Sequence, residues 1–200
     1  CNDDGLAERA RILRMHGSKP KYFHREVGGN FRLDPLQAAL LRVKLHHYDG
    51  YSQARQENAA YYIEKLSALD GVVSASPEHC GCAATQEEAL GRARIVLPVP
   101  YEHNKHIWNQ FTLRVRGEGQ RELLRKHLAD REIGSEVYYP LTMDQQECFA
   151  DLPAESRQGN GIAHQLAGEV LSIPVYPELG TEMQDWVVKA VEEFLKSERQ

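Results

Sequence analysis

Apolar residues recur along this chain with helical spacing at both ends and with strand spacing in between. Leu36, Ala39, Leu40 and Val43 fall at i, i+3, i+4 and i+7, which lays one apolar face along a helix over 34–47. Asp34 suits the N-cap of that helix and Pro35 its first position, where a missing N–H leaves nothing unsatisfied. An earlier helix is predicted over 3–16, with acids in its first turn, Arg11 and Arg14 near its end, and Gly17 as C-cap. Between the two lies a loop over 18–27 that carries Tyr22, Phe23 and His24. A longer helix follows over 51–66, with Ala54, Asn58, Tyr61, Tyr62 and Leu66 along it and Gly71 closing the next turn.

The periodicity then shortens. Residues 69–73 and 95–98 predict strands, and 108–115 a longer one in which Trp108, Gln110 and Thr112 alternate with Asn109, Phe111 and Leu113. An amphipathic helix over 120–130 turns Leu123, Leu124 and Leu128 inward, and a strand over 133–139 stops at Pro140. A helix over 162–170, an extended segment over 171–173 and an end helix over 181–196 complete the chain. The small and polar residues of 74–91 mark a loop. The order βαβ, then helix, extended segment and helix, fits a small α/β domain.

Charge and composition remove several function classes. The 200 residues carry a net charge of −5 with acids and bases interspersed, which disfavours nucleic acid or an anionic membrane as partner. No apolar run approaches the ~20 residues of a membrane span. Four cysteines, Cys1, Cys80, Cys82 and Cys148, lack metal-site spacing. Cys80 and Cys82 have one residue between them and no second pair, so His79-Cys80-Gly81-Cys82 is a poor metal site and the thiols are expected reduced, in a cytoplasmic protein. An abrupt start in a helix, with no initiator Met, suggests part of a longer protein.

Candidate chemistry concentrates just before the helix over 34–47. Gly28 and Gly29 permit a tight backbone path with positive φ, and Asn30 and Arg32 follow in irregular chain. An amide and a guanidinium side by side both donate hydrogen bonds, and one carries fixed positive charge, so the loop suits an anionic ligand. A capped core helix preceded by a solvated arginine accounts for the same residues.

The segment Gly28-x-Asn30-x-Arg32-Leu33-Asp34-x-x-Gln37-Ala38-Ala39, with Lys44-Leu45 and Tyr48-Asp49 after it, resembles the sugar aminotransferases of the DegT/DnrJ/EryC1/StrS family. Three further stretches resemble the same family in the same order. They are Asn2-Asp3-Asp4-Gly5-Leu6 through His16-Gly17, Ile133-Gly134-Ser135-Glu136-Val137-Tyr138-Tyr139-Pro140, and Leu171-Ser172-Ile173-Pro174-Val175-Tyr176-Pro177. The resemblance implies an α/β pyridoxal 5'-phosphate (PLP)-dependent transferase of fold type I. Residues 1–48 are then the end of the large cofactor-binding domain, and 49–200 the interdomain helix and small C-terminal domain. It further implies a homodimer with shared active sites, moving an amino group from an amino acid, glutamate, to a nucleotide-linked keto sugar. By the same resemblance Asn30 binds the cofactor, its amide reaching the phosphate in the other subunit, while Arg32, Tyr138 and Tyr139 bind substrate. No lysine of this chain occupies a recognisable cofactor motif, so the catalytic lysine and the acid at the cofactor ring are expected upstream.

The chain departs from the family pattern after Tyr139-Pro140. Thr142-Met143-Asp144-Gln145-Gln146 stands where relatives carry a run containing histidine, so an acid lies close to the expected substrate. Either the sugar differs or Asp144 faces solvent. Two other functions fit the resemblance: a dehydratase of the same family with histidine in place of the lysine, and a free-standing, non-catalytic small domain.

Overall fold

Asp3 starts the first helix, its carboxylate accepting the Leu6 N–H at 2.7 Å. The computed structural model describes residues 2–20, 22–75, 90–149, 151, 153 and 160–197, so His79, Cys80 and Cys82 lie outside the described residues. Contacts divide the chain into Cys1–Asp49 and Gly50–Gln200.

In the first unit, α1 (Asp4–Leu13) ends three residues before the predicted position. His16 and Gly17 take left-handed φ of 59° and 68°, and the Gly17 N–H returns to the Ile12 carbonyl at 2.9 Å. The chain then doubles back. The His16 N–H donates to Gly29 O at 3.0 Å, the Gly29 N–H to Leu13 O at 3.0 Å, and the Phe31 N–H to Arg14 O at 3.1 Å. A Cβ on Gly28 would meet Gly17 N at 2.4 Å and Leu13 O at 2.5 Å. Glycine is therefore required at 28 by close backbone approach, whereas the positive φ falls on Gly17. Next comes α2 (Pro35–Leu45), capped by Asp34, whose Oδ1 accepts the Leu36 N–H at 2.8 Å and the Gln37 N–H at 3.3 Å. No residue of α2 is buried, so it is not the core helix that its apolar stripe suggests.

The second unit is built on α3 (Tyr48–Ser67), whose first turn crosses the boundary. Its buried stripe is Ser52, Ala59, Tyr62 and Leu66. Among the described residues, β1 (Val72–Ser74), β2 (Ile95–Leu97), β3 (Phe111–Val115) and β4 (Val170–Ile173) form a sheet in that order. The β1–β2 pair is parallel and the other two pairs are antiparallel. Phe111, Leu113 and Val115 face the core from β3. The strand begins later than its alternation suggests, because Trp108 takes a left-handed φ of 49° and breaks the extended path. Trp108 is buried all the same, and its ring stacks on Phe111 with centroids 5.4 Å apart.

Further helices among the described residues are α4 (Gln120–Ala129), α5 (Gly161–Glu169) and α6 (Thr181–Ser197). Packing of α4 on α6 is marked by a 2.9 Å contact between His127 Nε2 and the Ala190 carbonyl and by an Arg131–Glu193 ion pair at 2.8 Å. Leu124 and Leu128 are fully buried, but Leu123 is 49% exposed and lies off the core face. The strand expected over 133–139 does not form. One isolated bridge, Glu136 to Ser172, holds this segment to the outer edge of β4, and the chain turns away at Tyr138.

These burial differences give a stability test. Leu124→Ala should lower unfolding free energy by about 2–5 kcal/mol through lost transfer energy and a cavity. Leu123→Ala should cost less than about 1 kcal/mol, since the side chain stays half in water. Urea unfolding followed by circular dichroism reads both.

Candidate functional site

Asn30 and Arg32 are joined by a hydrogen bond two residues apart. The Asn30 backbone is pinned by a bridge to Met15 just beyond α1. The Arg32 Nε–H then donates to Asn30 Oδ1 at 2.9 Å. A guanidinium only donates, so it must face the amide oxygen, and this fixes which way the amide points. The Asn30 Nδ2 and the terminal nitrogens of Arg32 have no protein partner among the described residues, and both side chains are exposed. Asp34, the nearest acid in sequence, is engaged in capping α2 and makes no ion pair with Arg32. The loop thus presents an oriented amide N–H and an uncompensated guanidinium, a donor set that fits phosphate oxygens.

Tyr138 and Tyr139 belong to the second unit. They stand at the turn after the Glu136 bridge, joined by a cis peptide, with rings edge to face and centroids 5.8 Å apart. Tyr138 is 41% exposed and Tyr139 71%, so each offers ring and hydroxyl to a ligand. On the near side the turn is anchored by buried Val137, whose N–H donates to Glu136 Oε1 at 3.0 Å. On the far side, two short 3-10 turns, Met143–Gln145 and Glu147–Phe149, follow Thr142. Each predicted pair, Asn30 with Arg32 and Tyr138 with Tyr139, is thus brought together within its own unit.

The sequence profile of the DegT/DnrJ/EryC1/StrS aminotransferase family matches residues 1–192. The chain belongs to this family. A pleiotropic regulatory protein of Geobacillus stearothermophilus is 37% identical over 98% of this chain and 46% of its own length. The dTDP-3-amino-3,6-dideoxy-alpha-D-galactopyranose transaminase of Aneurinibacillus thermoaerophilus is 33% identical over 96% of this chain and 45% of its own length. Among solved structures, S. venezuelae DesV matches with a TM-score of 0.75 at 34% identity, over 96% of this chain and 44% of that one. The chain spans about half the length of the curated relatives it matches. Its mixed α/β fold is that of the fold type I PLP-dependent sugar aminotransferases.

The departure of this chain from the DegT-family pattern has a structural explanation. Asp144 neither faces solvent nor stands free to meet a ligand, because its side chain is only 12% exposed and fully engaged. Oδ1 accepts the Thr142 hydroxyl at 2.6 Å, and Oδ2 lies 2.7 Å from His164 Nε2. The Asn160 side chain bonds the same carboxylate. No local signal in the sequence joins Asp144 to a residue twenty positions away. Among the described residues, no three of His, Cys, Asp and Glu gather as a metal site, and Cys148 is a free, exposed thiol.

The Thr142 hydroxyl above all, with His164 and Asn160 after it, holds the Asp144 carboxyl well below its ordinary 3.8, at about 2, against the opposing effect of desolvation. A carboxyl depressed in the folded state contributes stability that is full above its ordinary pKa and lost as pH falls through the folded value. The stability that the ionised clasp contributes is therefore full above about pH 4 and is lost as pH falls from about 4 to about 2, where the carboxyl of the folded chain itself takes up a proton. Carbon NMR of the Asp144 carboxyl should show a midpoint at about 2, moving up toward 3.8 in Thr142→Val, which lacks the hydroxyl donor.

Proposed function

We propose that this chain supplies the C-terminal part of a PLP-dependent aminotransferase that moves an amino group from an amino acid, glutamate, to a keto sugar carried on a nucleotide. The observation that carries the reading is the 33–34% identity, over 96% of the chain, to two dTDP-amino-sugar transaminases. In this reading residues 1–48 end the large domain and 49–200 form the interdomain helix and small domain of a cytoplasmic enzyme. The lysine that holds the cofactor, and the acid at its ring nitrogen, belong to the part outside this chain.

The residues present take supporting roles. PLP, when bound, supplies the electron sink for amino transfer. Asn30 donates from Nδ2 to a phosphate oxygen of the cofactor in the partner subunit, with Arg32 keeping Oδ1 turned away. The terminal nitrogens of Arg32 remain for an anionic part of the nucleotide, which a planar fork meets better than an ammonium. Tyr139 lays its ring and hydroxyl against the sugar, and Tyr138 supports it edge to face. Homodimer formation is supported by α2. Its exposed Leu36, Leu40, Leu41, Val43 and Leu45 follow directly on the Asn30 loop, and such a surface calls for a covering partner.

The activity test is made on the complete enzyme. Glutamate and a nucleotide-linked keto sugar should give 2-oxoglutarate and the amino sugar; loss of water without nitrogen transfer would instead mark a dehydratase. Asn30→Ala should weaken cofactor retention by about 1.5–3 kcal/mol, the worth of a charge-assisted hydrogen bond, while leaving unfolding unchanged. Absorbance titration with PLP measures it, and an unaltered affinity removes Asn30 from the phosphate. Arg32→Lys should raise KM for the sugar nucleotide with little change in kcat or in KM for glutamate, because the contact is made equally in ground and transition states. Steady-state kinetics with both substrates varied would return identical constants if Arg32 were only a surface charge.

A further inference from the structure

The Tyr138–Tyr139 turn is held at both ends by one supersecondary element. Its near end is the Glu136 bridge, in which Glu136 and Ser172 exchange backbone hydrogen bonds of 3.0 and 2.8 Å. Its far end is Asp144, bound to His164 at 2.7 Å. Ser172 lies in β4 and His164 in α5, and these two elements are continuous in sequence. That element is itself fixed: Glu169 pairs with Arg114 of β3, and the Ala167 carbonyl accepts from Arg121 of α4 at 2.7 Å. Between buried Val137 and Asp144, Tyr138, Tyr139 and Leu141 are exposed, so this part of the arch has no buried apolar side chain to set its course. At ~3.3–3.6 Å per residue, a few residues of slack at the far end would displace the tyrosines by several ångströms.

We propose that Asp144, clasped between Thr142 and His164, is a positioning residue that sets how Tyr138 and Tyr139 meet the sugar. This rests on the aminotransferase reading above and adds to it the element that determines sugar affinity. Asp144 has both oxygens engaged, so it acts through the arch and not by touching substrate. Whether the imidazole is neutral or charged, an Nε2–H toward Oδ2 maintains the clasp.

Kinetics and hydrogen exchange on the complete enzyme separate the possibilities. Asp144→Ala and His164→Ala should each raise KM for the keto sugar nucleotide roughly tenfold, with kcat and KM for glutamate within about twofold. His164→Gln, whose amide can donate from a similar position, should stay close to wild type. The double alanine variant should be no worse than Asp144→Ala alone, since that substitution already removes the bond to His164. Amide exchange over 138–143 should quicken in both alanine variants and not in His164→Gln. Unchanged exchange in the alanine variants overturns the clasp, whatever the kinetics. Faster exchange with sugar KM unmoved, with both KM values rising together, or with His164→Gln as impaired as His164→Ala overturns the positioning role. A wild-type enzyme that turns over no nucleotide-linked keto sugar brings down the aminotransferase reading, and the sugar role with it. Exchange in the same samples still reports on the clasp.

Discussion

Arg55 makes the contact on which the second unit is assembled. One guanidinium nitrogen lies 3.1 Å from the Trp108 carbonyl, 3.3 Å from that of Asn109 and 2.7 Å from that of Val175. These carbonyls belong to chain just before β3 and just after β4, where the ladder has not begun or has already ended. Buried carbonyls without partners are costly, and a helix cannot extend a sheet to satisfy them. A long cationic side chain on α3 can. Beside it, Asn58 donates to the Tyr176 carbonyl at 2.8 Å and accepts through its own carbonyl from buried Gln184 at 2.9 Å. One turn of α3 therefore fixes the end of β4 and the start of α6. The apolar packing of Tyr62 on Phe111, centroids 5.3 Å apart, fills the space that this polar frame defines.

How much of this was legible follows from the range of the forces involved. Helices announce themselves through caps and apolar spacing a few residues away, and Asp3, Asp34 with Pro35, and the amphipathic helix from Gln120 lie within a residue or two of their predicted places. Strands depend on partners far along the chain. The stretch ending at Tyr139 has strand-like residues, yet pairs through Glu136 alone. Trp108 has strand-like alternation too, and its left-handed φ is visible only in the fold. Leu123 and Leu124 are adjacent leucines on one helix. The elements packed on that helix, α6 above all, decide which of them is buried.

The candidate site divides in the same way. Asn30 and Arg32 are two residues apart, so their proximity followed from the sequence, although the bond that orients the amide did not. The partner of Asp144 was not legible at all. Its position in the family pattern offered a choice between substrate and solvent, and the structure supplies a third place, against His164. An unexpected residue beside a binding edge thus need not signal a new ligand. In the role proposed for Asp144, it is a different means of holding the edge in place.

The apolar stripe of α2 shows what hydrophobic spacing does and does not contain. The i, i+3, i+4, i+7 pattern marks a face suited to burial, and its leucines nevertheless lie open in this chain. Pattern specifies that a surface is to be covered but not by what. For α2 the chemistry alongside narrows the choice. Asn30 and Arg32 precede the helix with unsatisfied donors, and Asp34 is engaged in capping. A cover that brought only apolar side chains would bury a guanidinium without a counter-charge, which is strongly unfavourable. A partner that covered Arg32 together with this face would therefore have to bring an anion at its edge. In the aminotransferase reading proposed above, a cofactor phosphate held by a second subunit would meet both requirements, the apolar one along α2 and the anionic one at its start.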